Sequence, residues 1–295
     1  SMWTDAAQSF VMIGAMSLML IVATLNLGGL EAVWQQLHSI PGYMNAYPKD
    51  LALPGLAGGV LFAVSWFFAG LSVIGQPHVM VRFMALNDGA HMNRARFWYY
   101  LWFIAFYAMA TGVGLLSRLY LPDTANFDAE LALPTMALEL LHPVLVGLVL
   151  AGVFAATLST ADSLILSCSA ALTHDLVPGS NKLSRLKWGT VIITALALIW
   201  ALSNTQSVFN LVIMAWSGLA SALAPLLICR VMGAQPPRWA RFAAVIVGLS
   251  VAIAWRYLGW QLALYEGMAG MTAGGALLAL SLIVTRHTRV TPSAQ

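Results

Sequence analysis

Phe154-Ala-Ala-Thr-Leu-Ser-Thr-Ala-Asp-Ser-Leu-Ile-Leu-Ser-Cys-Ser-Ala-Ala-Leu-Thr-His-Asp175 continues an apolar run that begins near Pro143, and together they are long enough to cross a bilayer. Polar atoms nevertheless collect in its middle, on Thr157, Ser159, Thr160, Asp162, Ser163 and Ser167. On a helix, Ala156, Ser159, Thr160 and Ser163 fall at i, i+3, i+4 and i+7, which is one face. Hydroxyls on such a face, with a loosened backbone carbonyl nearby, supply oxygen ligands to a small hard cation. Asp162 flanks that stripe with Ser163, a possible cation path. A carboxylate at membrane depth is costly unless it faces protein, water or an ion. In the other reading, Ser and Thr are small packing residues whose hydroxyls bond back to their own helix. The sequence leaves both open.

Working outward, the 295-residue chain is 60% hydrophobic and 8% charged, with a mean hydropathy of +0.81. A soluble domain carries about 25% charged residues, so this is an all-α polytopic membrane protein. Apolar windows predict eight transmembrane helices, at about 8–28, 53–76, 97–119, 143–170, 188–203, 206–232, 239–257 and 263–285. Arg82, Arg94, Arg96, Lys182, Arg185, Lys187, Arg230, Arg238, Arg241, Arg286 and Arg289 then fall on one side, eleven of the 14 Lys and Arg. Lys49, Arg118 and Arg256 fall on the other. Cytoplasmic loops collect Lys and Arg, so both termini are expected in the cytoplasm, in a plasma or inner membrane. A net charge of +3 is too small and dispersed for nucleic acid. Cys168 and Cys229 sit in apolar segments and read as small buried residues. The first apolar segment is too long, and lacks the basic flank, for a cleavable leader.

The outer loops carry signals of their own. Residues 29–52, with Trp34, His38, Tyr43 and Tyr47, read as an interfacial segment. Residues 120–142 carry Asp123, Asp128, Glu130 and Glu139 and predict a short helix from Pro134. No linker or low-complexity stretch divides the chain, so residues 1–295 read as one membrane domain.

The second predicted helix is interrupted. Between Ser65 and His78 it contains Gly70, Gly75 and Pro77. Proline removes a backbone donor and clashes with the carbonyl four residues back. Carbonyls so freed are tolerated at depth only where protein or a water-filled cavity satisfies them, and such broken helices point to a transporter's midplane site. A simple proline kink is the alternative. The sixth helix repeats the theme with Trp216, Ser217, Gly218, Ser221 and Pro225. Gly55 with Gly59, and Gly270 with Gly274, have the spacing of close helix packing. Enzyme readings find no support: the chain has no His-Glu-x-x-His pair, no Gly-x-Ser-x-Gly elbow and no phosphate-binding Walker loop. His78, His91 and His174 stand at helix ends, where capping or interfacial roles prevail.

Several of these stretches, in order, resemble one family. Gly75-Gln-Pro-His-Val-Met-Val-Arg-Phe-Met84 resembles the Gly-Gln-Pro-His-x-x-x-Arg-Phe-Met motif of the sodium/solute symporters, in their sodium/proline branch. Trp3-Thr-Asp-Ala-Ala-Gln8 is similar to that branch's Trp-Thr-Asp-x-x-Gln helix opening. Residues 155–175 are similar to its serine-threonine helix, and Ala215-Trp-Ser-Gly218 with Pro225 to a further signature.

The resemblance implies the leucine-transporter-type fold of two inverted five-helix repeats with added helices. The helix at 8–28 would be the last of repeat one, 53–232 repeat two and 239–285 the appended pair. The chain would then be the C-terminal part of a symporter, with the opening helices of repeat one upstream. The resemblance further implies sodium as coupling ion, held by the Ala156 carbonyl and the Ser159 and Thr160 hydroxyls. It places the solute near Trp66, Ala69, Gly70, Val73, Gly75, Gln76 and Pro77. Proline-transporting members carry Trp and Tyr where this chain has Ala69 and Val73, and Trp66 is one turn off. That departure favours another small organic solute, such as a different amino acid or a carboxylate. A sensor module of the same fold and a transport-inactive remnant are the competing readings.

Overall fold

The computed structural model describes residues 2–48, 50–84, 88–122, 127–176, 183–203 and 207–290. Lys49, Asp123 and Lys182 lie outside the described residues, as do the side chains of His174, Arg185, Arg286 and Arg289. The described residues form α1 (Met2–Asn26), α2 (Leu30–Ser39), α3 (Gly55–Leu71), α4 (Pro77–Met84), α5 (Met92–Tyr120), α6 (Ala132–Leu140), α7 (Pro143–Ala170), α8 (Leu183–Ser203), α9 (Val208–Val231), α10 (Arg238–Tyr257) and α11 (Glu266–Val290). Eight of these helices are long and apolar enough to cross a membrane, as the apolar windows predict. Without water at that depth a helix pairs its own backbone groups, which is why such runs become helices.

Local chemistry sets the ends. Pro143 opens α7, where its missing donor costs nothing. The Ser207 hydroxyl accepts from the Asn210 amide at 3.3 Å and caps α9. Asp88 and Asp128 accept from amides two residues on, at 2.9 and 3.0 Å, and start the short turns that lead into α5 and α6. The helix expected at 8–28 begins two turns earlier, at Met2. The expected interfacial segment contains α2, and the helix expected from Pro134 is α6.

Contacts group the chain into two compact units. The first comprises Ser1–Asn45 and Leu86–Thr205, the second Ala46–Ala85 and Gln206–Gln295. In the first, α1 runs antiparallel to α7 around a core of Met16, Met19, Met136 and Val149. The two helices pack closely at Gly152, where a Cβ would stand 2.9 Å from the Ala15 methyl carbon. The Tyr120 hydroxyl ties α5 to α1 by donating to the Ala23 carbonyl at 2.7 Å. At the other end of α7, Ser169 meets Thr190 of α8, oxygen to oxygen, at 2.9 Å. Cys168, expected to be buried, is exposed on this unit, because α8 covers the Ser169 side of the helix instead.

In the second unit, α9, α10 and α11 pack against one another through small residues. Pro225 cannot donate to the Ser221 carbonyl. That carbonyl lies where a Cβ on Gly248 would stand, and a Cβ on Gly270 would land on the Ser221 side chain. The expected interruption of the sixth helix is therefore absent: α9 is continuous through Pro225, its freed carbonyl enclosed by glycine backbones. Gly270 and Gly274 do serve close packing. Gly55 does not: a Cβ there would meet nothing, and its φ of +67° marks it as a turn residue. Gly248→Ala is expected to force α9 and α10 apart at a cost of about 1–3 kcal/mol. A lower thermal-unfolding midpoint in detergent would register it, whereas an unchanged midpoint would mean the helices can separate freely.

Candidate functional site

The two sets of candidate residues fall in different units, and each has its own geometry. In the first unit the antiparallel course of α1 along α7 carries Asp5 to the hydroxyl-rich face. Ser159 donates its hydroxyl to Asp5 Oδ1 at 2.8 Å. Thr160 donates to the Ala156 carbonyl at 3.1 Å, so two of the expected sodium ligands lie one hydrogen bond apart. Ser163 donates to the Ser159 carbonyl at 2.9 Å, and Ser167 to that of Ser163 at 2.8 Å. These last bonds are what self-satisfied helix hydroxyls make. The Ser159 hydroxyl reaches across to a carboxylate on another helix. Ala156, Ser159 and Ser163 are half-buried, while Thr160 and Asp162 stand exposed on this unit.

Asp5 belongs to the Trp3–Gln8 helix opening, but the sequence did not assign it to the ion site. The apolar window for the first helix starts after it, because Trp3-Thr-Asp-Ala-Ala-Gln8 is too polar to score as membrane-spanning. The Asp5/Ser9 spacing of one helical turn was a legible sign that the helix starts earlier, and Ser9 does donate to the Asp5 carbonyl at 2.8 Å.

In the second unit the predicted break is present. α3 ends at Leu71, tightens into a 3₁₀ turn over Ser72–Gly75, opens at Gln76 (φ −93°, ψ 108°) and resumes as α4 from Pro77. The residue before a proline is driven to extended backbone, which is the reason for the opening. Gln76, 1% exposed, bridges the gap: its Nε2 lies 3.2 Å from the Ser72 carbonyl and 3.3 Å from the Trp216 carbonyl of α9. Gly75 lets the turn lie directly on Ala220 of α9, where a side chain would collide with backbone. Ala69 and Val73 are half-buried, while Gly70 is exposed with open space around it. Pro77 is exposed at the start of α4. His78 is half-buried on α4, where burial first and the Arg82 charge second hold its imidazole below its ordinary pKa.

Trp66 lies on the wall of a cavity of about 530 Å³ shared with Phe62, Ser65, Asn210, Arg256 and Glu266. Its ring stacks on that of Tyr265, centroids 6.5 Å apart. Arg256 Nη1 donates to Glu266 Oε1 at 2.7 Å, and the Ser217 hydroxyl lies 3.2 Å from the same oxygen. The buried Glu266 was also missed from the sequence. The visible sign was Glu266, the one acid in the sequence of these two helices, set across the short connection at 258–265 from Arg256.

A family model described as the sodium:solute symporter family matches residues 1–248, a stretch that includes the broken helix, α7 and α9. The chain belongs to the sodium:solute symporter family. Among its relatives is the high-affinity proline transporter PutP of Bacillus subtilis (strain 168), 31% identical over 284 residues, covering 92% of this chain and 58% of the relative. The sodium/proline symporter of Escherichia coli (strain K12) is 30% identical over 294 residues, covering 92% and 55%. The osmoregulated proline transporter OpuE of Bacillus subtilis (strain 168) is 28% identical over 264 residues, covering 85% and 52%. The chain thus spans about half the length of the curated relatives it matches. In this member of the family Thr160 and Ser163 donate within α7, and Ser159 donates to Asp5 of α1.

Proposed function

We propose that the protein is a sodium-coupled secondary transporter of a small organic solute, working by alternating access between the two sides of the membrane. The observation that carries this reading is the Asp5–Ser159 bond, which sets a carboxylate beside the hydroxyl pair on α7. Sodium is a hard cation that needs several oxygens to replace its water. Ala156 O, Ser159 Oγ, Thr160 Oγ1 and Asp5 Oδ1 offer neutral and anionic donors on two adjacent helices. The Thr160–Ala156 and Ser159–Asp5 hydrogen bonds would both turn outward from their present partners to admit the ion. Asp162 and Ser163 mark the path by which it arrives or leaves.

The solute is placed at the broken helix, around Trp66, Ala69, Gly70, Val73, Gly75, Gln76 and Pro77. It would be an amino acid or a similarly small carboxylate, in keeping with the solute named for the relatives. Ala69 and Val73 make this region less aromatic than the proline-branch pattern, so the side-chain preference can differ from proline. The repeat assignment rests on the family match and on coverage of about half of each relative: 8–28 closes repeat one, 53–232 forms repeat two and 239–285 is appended. The loop charges favour cytoplasmic termini.

The test is uptake of radioactive amino acids into vesicles holding the full-length protein, with and without an inward sodium gradient. Sodium-driven accumulation lost in Ser159→Ala/Thr160→Ala and kept in Ser167→Ala, whose hydroxyl bonds the Ser163 carbonyl, is the expected result. Uptake indifferent to sodium and to all three substitutions would refute it.

A further inference from the structure

The hairpin joining α9 to α10 borders an open cavity of about 550 Å³, lined in part by Leu226, Cys229, Arg230, Gln235, Pro236 and Arg241. A volume of that order accommodates a small ligand or headgroup. Arg230 and Arg241, both exposed, line the same space. Among the described residues neither side chain has a hydrogen-bonding or ionic partner. The sequence supplies none nearby, since residues 207–265 contain no Asp or Glu. The acid that follows, Glu266, is bound to Arg256. Arg256 lies fifteen residues along α10 from Arg241, roughly 23 Å away at helical rise.

Like charges sharing a cavity repel, and an anion placed between them removes that cost. Guanidinium forks match the oxygens of a phosphate in particular. The start of α10 adds to the pull: Pro237 gives no side-chain cap, so the amides of its first turn have no capping side chain beside the cavity. Trp239 and Phe242 are 64% and 73% exposed on that first turn and a half. Exposed aromatics next to arginines are the pattern of a helix end at the lipid–water boundary. Basic pockets between membrane helices at that depth take phosphate headgroups.

We infer that the Arg230–Arg241 cavity binds a phosphate group, presented by an anionic phospholipid headgroup or free as inorganic phosphate. The site is separate from the sodium and solute residues, so it stands whether or not the transport reading holds. Cys229 on the cavity wall reports occupancy directly.

The experiment uses the protein with Cys229 as its single thiol, in nanodiscs of phosphatidylcholine or of phosphatidylglycerol, and follows the rate of alkylation by uncharged N-ethylmaleimide. Phosphatidylglycerol is expected to slow alkylation if the headgroup is the source. Inorganic phosphate added to phosphatidylcholine discs is expected to slow it if the free ion is. In either case Arg230→Gln/Arg241→Gln weakens the protecting ligand roughly thirtyfold. Arg94→Gln/Arg96→Gln, with the same change in net charge, leaves protection intact. Equal rates under all three conditions would overturn the inference. So would protection that survives loss of both cavity arginines, or that the control pair abolishes equally. Unchanged thermal unfolding of the Arg230→Gln/Arg241→Gln variant establishes that its fold is intact.

Discussion

Arg256→Ala is expected to destabilise the protein by about 3–5 kcal/mol, the cost of leaving a buried carboxylate without its counter-charge. The Glu266 side chain is 3% exposed and its Oε1 receives Arg256 at 2.7 Å. Ser217 cannot take over that role. Its single proton also has the Met214 carbonyl at 2.9 Å, and a neutral hydroxyl does not offset a full charge. Arg256 Nη2 also donates to the Asn210 carbonyl at 3.3 Å, so the guanidinium ties the end of α10 to both α9 and α11. Adding Glu266→Gln to Arg256→Ala should recover much of the loss by removing the charge while keeping the shape. Unfolding in mixed micelles measures both variants. If the single and double variants unfold alike, and like the unsubstituted protein, the pair is an exposed contact of little weight.

The second large effect is expected at Asp5. Asp5→Asn keeps an oxygen for the Ser159 hydroxyl but removes the negative charge beside the proposed ion site. Losing such a supporting group weakens metal sites about 10–100-fold. The sodium concentration for half-maximal uptake should therefore rise by that factor in the full-length protein, with the solute's own half-saturation little changed at saturating sodium. A variant with normal sodium dependence would show that the Asp5–Ser159 bond serves packing alone.

How far the chain could be read without coordinates depended on the kind of signal. Spans twenty residues long and nearly free of charge can only be helices in lipid, so all eight were legible. The break after Gly75 was legible because Gln76-Pro77 forces extended backbone whatever surrounds it. Pro225 misled for a tertiary reason: the carbonyl it frees lies against Gly248 and Gly274, which are 23 and 49 residues further on. Asp5 fell outside the first hydropathy window and Glu266 fell inside the last, yet neither role was legible, because their partners Ser159 and Arg256 sit on other helices. Hydroxyl spacing on α7 did mark the face that matters. It could not tell Ser159, which reaches another helix, from Ser167, which bonds to its own.

Equilibrium binding of radioactive sodium to the purified full-length protein would bear most directly on whether that face holds an ion. Saturable binding that disappears in Ser159→Ala/Thr160→Ala and persists in Ser167→Ala is the result expected. Binding of the same strength in all three proteins would show that these hydroxyls only help helices pack.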